Sequence, residues 1–314
     1  MEIMSSLTIF AGMLVLVAAS GLFVYALTNI CRILGLKEYL IVVLFLGFAT
    51  VLPELFIALN AVSQSAPELA FGNALGTSIA SLSFIAGIIA IFSRSFKTNT
   101  FFQSKDLVHL TISVVLLIIL ASDGNLSRVD GVLLLIAFVY YIINILQYKS
   151  VLKLKSSEPK HSLLFHLVII VLCLIAMQLS AQSIVTAGLE LSLASALPLF
   201  LIATVLIAPL GAVPELIVEL ELIRSKMSNI SFGDLFTSVI LNSTLVIGLV
   251  AMLSPFTFTF SPIAQFSSLF FVVLLLVFNF FIRSKNELDW KEGLFLLFGY
   301  FFYIVSMFIV FGAS

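Results

Sequence analysis

Hydrophobic positions along this chain form long, nearly uninterrupted blocks rather than an alternating or amphipathic pattern. A membrane-spanning helix needs about 20 consecutive apolar residues, and ten segments of the chain meet that requirement. The segments are residues 7–30, 38–62, 70–93, 106–122, 130–147, 162–186, 194–222, 231–254, 262–282 and 291–312. The pattern therefore predicts an all-α membrane protein with ten transmembrane helices and no separate soluble domain.

The longest polar connection between these segments is YKSVLKLKSSEPKH, residues 148–161. It follows the fifth predicted helix and precedes the sixth. We therefore expect a first five-helix repeat over residues 1–147, a basic linker over 148–161 and a second five-helix repeat over 162–314. Both repeats would belong to one integrated membrane domain.

Positive charge is strongly biased to one side of the predicted membrane. When the loops are assigned alternately to the two sides, 14 of the 15 Lys and Arg residues fall on one side and Arg128 alone falls on the other. Cytoplasmic loops are enriched in Lys and Arg. The bias predicts a cytoplasmic linker, both termini outside and a multi-pass protein of the plasma (inner) membrane.

Composition supports the same class. The chain is 61% hydrophobic and 10% charged, and its mean hydropathy is +1.24, which excludes an ordinary soluble domain. An intramembrane hydrolase would need a nucleophile–base pair or a metal triad within the spans. The sequence shows neither pattern, so it does not favour an enzyme.

An acidic motif occurs twice, 161 residues apart. The first copy, GFATVLPELFIALNAV, contains Glu54, and the second, APLGAVPELIVEL, contains Glu215. The same offset relates further positions downstream, which are Gly72 and Gly233, Asn73 and Asp234, Ser81 and Asn242, and Gly87 and Gly248. Because each repeat has an odd number of spans, the second must enter the membrane in the opposite orientation, as in inverted-repeat transporters.

The repeated acids predict a cation site. A carboxylate in the membrane is costly and is tolerated mainly in a bundle interior or an ion path. Pro53 and Pro214 precede the acids, and each lacks the N–H that would bond the carbonyl one turn earlier. Carboxylates beside freed carbonyls form the all-oxygen environment that Ca²⁺ or Na⁺ prefers. The alternative is a proline kink with a structural Glu.

Several further polar residues lie in the segments that follow the acids. Thr77 and Ser81 are four residues apart and share a helix face, and Ser238 and Asn242 have the same spacing. They are candidate ligands, although small-residue helix packing is an alternative for the hydroxyls.

Two more acids in the second repeat have simpler interpretations. We expect Asp234 to cap the N-terminus of its helix. Glu219, one turn beyond Glu215, either marks a cytoplasmic entry path or pairs with Arg224 or Lys226 near the membrane surface, and we favour the pair.

The paired motifs resemble the signature of the sodium/calcium exchanger family of cation/Ca²⁺ antiporters. That signature is a small residue followed by Thr-Ser-Leu-Pro-Glu, and then Gly-Asn-x-x-Gly-Ser-Asn-x-x-Asn, in two inverted halves. Here the first half reads ATVLPE (49–54) and GNALGTSIAS (72–81), and the second reads LGAVPE (210–215) and GDLFTSVILN (233–242). The resemblance covers nearly the whole chain.

The resemblance implies a specific set of ligands. Glu54 and Glu215 would share the Ca²⁺ ion, and the backbone carbonyls of Thr50 and Gly211 would complete that site. The hydroxyls of Thr77 and Ser238 match positions that serve Na⁺ in the family. Ser81 and Asn242 match the amide or acid positions beside the central site.

Departures from the family pattern concern the sodium ligands. Val51 replaces a Ser of the first motif, Gly211-Ala212 replaces the Thr-Ser pair of the second, and Ser81 replaces an Asn. A divalent site built on two carboxylates is less affected than sodium sites that depend on hydroxyls. A proton would replace Na⁺ as the coupling ion if Glu54 or Glu215 is protonated during the cycle.

The sequence thus predicts a secondary antiporter that exchanges Ca²⁺, or a similar divalent cation, for Na⁺ or H⁺ by alternating access. The alternatives are a divalent cation/proton exchanger with little sodium coupling and a non-transporting membrane protein that keeps the fold. No cofactor is expected beyond the transported ions. The expected partners are Ca²⁺, monovalent cations and the lipid bilayer, with no nucleic acid and no inferable protein partner.

Overall fold

The structure is a computed structural model that describes residues 2–33, 47–93, 95–97, 101–147, 162–224, 228–257, 262–285 and 287–311. Ten helices, numbered in chain order, account for most of these residues. They are α1 (Glu2–Ile33), α2 (Gly47–Ser63), α3 (Pro67–Ser93), α4 (Phe101–Leu120), α5 (Arg128–Gln147), α6 (Leu163–Ser195), α7 (Leu199–Arg224), α8 (228–253), α9 (Pro262–Lys285) and α10 (Trp290–Phe311).

Eight of these helices are long and apolar enough to cross a membrane, and α2 is a shorter apolar helix. The predicted all-α, multi-pass architecture is therefore confirmed. The first part of the predicted span 38–62 and the predicted linker 148–161 lie outside the described residues.

The predicted boundary between the sixth and seventh spans was wrong by several residues. We predicted these spans over 162–186 and 194–222, but α6 continues to Ser195 and α7 begins at Leu199. The intervening sequence AGLELSLASALPL remains largely apolar, so hydropathy gave no signal for the break. The helix ends instead because Ala196 adopts a left-handed conformation (φ 56°), and Pro198 caps the start of α7.

Backbone irregularities recur at the repeat offset. A π-helical segment, Ser81–Ile85, interrupts α3, and another, Asn242–Val246, interrupts α8 at the corresponding positions 161 residues later. A third π-helical segment, Ala203–Ile207, lies in α7. Such segments are uncommon and often occur at functional sites. Their matched placement shows that the two repeats share local backbone geometry as well as sequence.

The packing of α1 against α6 shows that the repeats are inverted. Ser5 of α1 donates a hydrogen bond to Glu190 of α6 over 3.0 Å, and near the other end Tyr25 contacts His166 with ring centroids 5.9 Å apart. Residue numbers thus rise along α1 as they fall along α6. Equivalent helices of the two repeats run antiparallel, as predicted.

The two halves of the chain interlock at two equivalent glycine contacts. A Cβ atom on Gly87 would lie 2.7 Å from the Gly293 carbonyl oxygen, and a Cβ atom on Gly131 would lie 2.8 Å from the Gly248 carbonyl oxygen. Since real Cβ atoms do not approach so closely, only glycine lets α3 meet α10 and α5 meet α8 at these points.

Four short strands add a second set of connections between the halves. They are β1 (Ser95–Lys97), β2 (Asn125–Leu126), β3 (Phe256–Thr257) and β4 (Glu287–Asp289). Antiparallel pairs form between β1 and β4 and between β2 and β3. Each pair therefore joins a strand of the first half to a strand of the second.

Candidate cation site

The two repeated acids lie in the interior of the helix bundle. Glu54 is in α2 and is 2% exposed, and Glu215 is in α7 and is 3% exposed. Each lies one residue after a proline that the helix accommodates. The two carboxylates are close enough to interact electrostatically, so the fold brings together the two charges that the sequence placed in separate repeats.

The Glu54 carboxylate faces the second repeat at a position without a side chain. A Cβ atom on Gly211 would lie 3.5 Å from Glu54 Oε1 and 3.9 Å from Thr77 Oγ1. The carboxylate of α2, the hydroxyl of α3 and the Gly211 backbone of α7 therefore surround one point. A larger residue at position 211 would place its side chain against these two oxygens.

The Glu215 carboxylate is held from the first repeat. The Ser81 hydroxyl donates a hydrogen bond to Glu215 Oε2 over 2.6 Å and lies 3.0 Å from the Thr77 carbonyl oxygen. Ser238 of α8 also lies beside this carboxylate. Ser81 is the first residue of the π-helical segment in α3, so the backbone irregularity coincides with the contact between the repeats.

Several buried polar atoms around the acids have no hydrogen bond from any described residue. They are Glu54 Oε2, Glu215 Oε1, Thr77 Oγ1, and Asn242 Oδ1 and Nδ2. A buried polar group without a partner is costly, and most such groups in proteins find one. The unsatisfied oxygens of Glu54, Thr77 and Glu215, which come from three helices, are suited to a cation with oxygen ligands.

The remaining predicted ligand, Thr50, is 4% exposed, and its hydroxyl donates to the Gly47 carbonyl oxygen over 3.1 Å. Val51 and Ala212, where the sequence predicted departures at the sodium ligands, are 2% and 1% exposed. Both positions thus face the interior of the bundle rather than lipid.

Two interpretations of acids in the second repeat were wrong. Asp234 does not cap its helix, because α8 begins at Ser228 and Asp234, 1% exposed, lies in its second turn. Glu219 forms no ion pair with Arg224, which is exposed, whereas Glu219 is fully buried. Lys226 lies outside the described residues.

Sequence reasoning also passed over Ser231, whose buried hydroxyl lies beside Glu219. The spacing of Ser231 and Asp234, three residues apart on one helix, would have indicated a shared face.

Comparison with known proteins agrees with the fold and the motifs. The family model described as sodium/calcium exchanger protein matches residues 4–147 and 165–309. An uncharacterized membrane protein of Methanocaldococcus jannaschii is 26% identical over 289 residues, which cover 91% of this chain and 92% of the relative. The sodium/calcium exchanger MaX1 of Methanosarcina acetivorans is 24% identical, over 97% of this chain and 98% of the relative.

A solved structure shows the same arrangement of helices. The sodium-calcium exchanger NCX_Mj, soaked with Na⁺ and Ca²⁺, superposes with a TM-score of 0.69 and 22% sequence identity. The match covers 98% of this chain and 99% of that one. It extends through both repeats and therefore includes all four helices that carry the candidate site.

Proposed function

Because the chain belongs to the sodium/calcium exchanger protein family, and is therefore a cation antiporter rather than an enzyme, we propose that it exchanges Ca²⁺, or a similar divalent cation, for Na⁺ or H⁺. The observation that carries the proposal is the pairing of Glu54 and Glu215 in the interior, each facing the other repeat. Two carboxylates attract a divalent ion more strongly than a monovalent one, since the energy scales with the product of the charges.

The central site would use ligands from four helices. Glu54 and Glu215 bind the divalent ion, together with the backbone carbonyls of Thr50 and Gly211. Thr77 and Ser238 supply hydroxyl oxygens on either side. Ser81 and Asn242 supply the remaining polar groups, and both are fully buried.

Transport would proceed by alternating access, with α1 and α6 sliding past the other helices. This pair is suited to the role because both helices are long, 32 and 33 residues, and pack side by side. A reciprocal pair of 3.1 Å hydrogen bonds between the side-chain amides of Asn60 in α2 and Gln178 in α6 would have to break as α6 moves. These hydrogen bonds would break and re-form each time the protein moves between its inward-open and outward-open states.

The orientation that we propose follows the charge bias. The linker 148–161 faces the cytoplasm, both termini face outward, and the protein resides in the plasma (inner) membrane. Membrane proteins place their excess Lys and Arg on the cytoplasmic side.

A second candidate function is divalent cation/proton exchange with little sodium coupling. It is favoured by the buried positions of Val51 and Ala212 and by the open position at Gly211. Sodium selectivity requires several well-placed oxygens, and these three residues remove side-chain oxygens next to both acids. The carboxylates themselves are able to carry protons.

Ion flux in proteoliposomes distinguishes these functions. Ca²⁺ uptake is measured with a Na⁺ gradient and a pH gradient imposed separately. Uptake driven by the pH gradient alone supports proton coupling, and uptake driven by the Na⁺ gradient alone supports sodium coupling. No uptake under either gradient, in vesicles shown to contain folded protein, would contradict both.

A further inference from the structure

A second pair of buried acids lies between α7 and α8, outside the central site. Glu219 of α7 is 0% exposed, and Asp234 of α8 is 1% exposed. Their side chains lie within interaction range of each other and of the Glu215 charge. None of their four carboxylate oxygens receives a hydrogen bond from a residue that the structure describes. Two adjacent carboxylates in such a place need either bound protons or a bound cation.

A third oxygen points to a ligand at this place. The hydroxyl of Ser231 is fully buried and lies beside Glu219, and within the described part of the chain it has no regular hydrogen-bond partner. The Asp234 carboxylate also faces α2 of the first repeat, where the packing is tight, since a Cβ atom on Gly47 would lie 3.6 Å from Asp234 Oδ1 and 2.5 Å from Thr237 Cγ2. Carboxylate and hydroxyl oxygens from two helices therefore converge at one buried place.

The first repeat shows that helix packing does not require these acids. The residues equivalent to Glu219 and Asp234 are Ala58 and Asn73, and both are 1% exposed. The same helices pack there without a charge at either position. The acid pair is thus an addition to the second repeat, and a purely structural role leaves the buried charges unexplained.

We infer that Glu219, Asp234 and Ser231 form a second divalent-cation site, distinct from the site at Glu54 and Glu215. Two carboxylates and a hydroxyl are ligands that Ca²⁺ accepts, and one divalent ion balances both charges. Glu219 lies four residues beyond Glu215 along α7, about 6 Å along the helix axis. The second site lies toward the C-terminal end of α7, which is Arg224.

The position of the second site indicates a role in the transport path. An ion at Glu219 and Asp234 lies one helical turn from the central site, on the side that the charge bias assigns to the cytoplasm. The second site would capture Ca²⁺ before transfer to Glu215. That role rests on the proposed function, whereas the existence of the site does not.

The test counts bound Ca²⁺ per chain by equilibrium dialysis of the purified full-length protein at fixed pH. Two variants separate the sites. Glu54→Gln with Glu215→Gln removes the charges of the central site, and Glu219→Ala with Asp234→Asn gives the second repeat the residues of the first. The second variant introduces Ala and Asn, the residues that the first repeat packs at the equivalent positions, so we expect it to fold. Thermal unfolding verifies that both variants are folded.

We expect two Ca²⁺ ions per chain in the unmodified protein and one in each variant. The inference would be overturned if the unmodified protein binds one Ca²⁺ ion, Glu54→Gln with Glu215→Gln binds none, and Glu219→Ala with Asp234→Asn still binds one. That result would mean that the second pair of acids holds protons. Retention of a single ion that only Glu219→Ala with Asp234→Asn removes would support the second site while contradicting the proposed central site.

Discussion

The helices that carry the two acids end at equivalent positions but differ in their polar side chains. Ser63, the last residue of α2, corresponds to Arg224, the last residue of α7, and both helices contain a proline before the acid. One turn beyond the acid, however, the first repeat has Ala58 and the second has Glu219. The backbone is therefore constrained by packing between the repeats, whereas the charge around each acid has diverged.

The contact between repeats differs in the same way. Ser81 of the first repeat reaches across to Glu215 and donates a hydrogen bond. Its equivalent, Asn242, is larger and fully buried, yet no described residue bonds to its amide. The two positions are therefore asymmetric: Ser81 bonds to Glu215 across the repeats, whereas the buried amide of Asn242 has no hydrogen-bond partner among the described residues.

The largest effect is expected from neutralising either central acid. Glu54→Gln or Glu215→Gln keeps the shape of the side chain and removes its charge, so we expect Ca²⁺ flux to fall at least about 100-fold, or about 2.7 kcal/mol. Flux into proteoliposomes measures the change. Glu221→Gln, an exposed acid on α7, is the matched control and should have little effect. Normal flux in Glu54→Gln would show that the two repeats do not share one ion.

The next effect concerns the packing that both repeats share. Gly293→Ala would place a Cβ 2.7 Å from the Ala90 Cβ and 2.8 Å from the Gly87 carbonyl oxygen. Overpacking of this kind costs about 1–3 kcal/mol, so we expect a lower Tm in detergent. Gly299→Ala on the same helix has no atom within 4 Å of the new Cβ and is the control. Equal Tm values for the two variants would contradict the proposed constraint.

A smaller effect is expected at the hydrogen bond that distinguishes the repeats. Ser81→Ala removes the donor to Glu215 and one oxygen from the central site. A hydrogen bond to a charged group contributes about 1.5–3 kcal/mol, and we expect roughly tenfold weaker Ca²⁺ binding, measured by dialysis. Ser83→Ala serves as the control, because among the described residues the Ser83 hydroxyl bonds to the Ile79 carbonyl of its own helix and to no other group. Equal Ca²⁺ affinity in the two variants would exclude Ser81 from the site.

The smallest effect is expected when family hydroxyls are restored. Val51→Ser with Ala212→Ser returns one oxygen beside each acid, and we expect Na⁺ to compete with Ca²⁺ a few-fold more strongly. Competition is measured as the Na⁺ concentration that halves Ca²⁺ binding. Val51→Ala changes the volume without adding an oxygen and should not reproduce the result. Steep, cooperative Na⁺ dependence in the unmodified protein would instead show that Thr50, Thr77 and Ser238 suffice for sodium coupling.

Hydropathy and the repeat offset were enough to predict the ten helices and their inversion. The acids were recognisable because charge inside an apolar block is rare. The π-helical segments at Ser81 and Asn242 were not predictable, since one extra residue in a helical turn leaves no mark in an apolar sequence. The four short strands were missed as well, because two or three residues are too few to show a period.

The environments of Glu219 and Asp234 required three-dimensional information. Arg224 follows Glu219 closely in sequence, and a surface ion pair was the simpler expectation. The structure turns Glu219 inward while Arg224 is exposed. Asp234 was judged to cap its helix because the apolar block begins at 231, whereas the helix itself begins at Ser228. In both cases helix rotation and length, which hydropathy does not determine, decided the outcome.

The pairing of strands and glycines between the halves has a consequence for how the protein is made. Strands β1 and β2 and the contact surfaces around Gly87 and Gly131 are synthesised first, but their partners all belong to the second half. During translation the first five helices enter the bilayer with these surfaces uncovered. These contacts can form only after α8 and α10 have been synthesised, so tertiary assembly of the first half depends on helices that the ribosome delivers later.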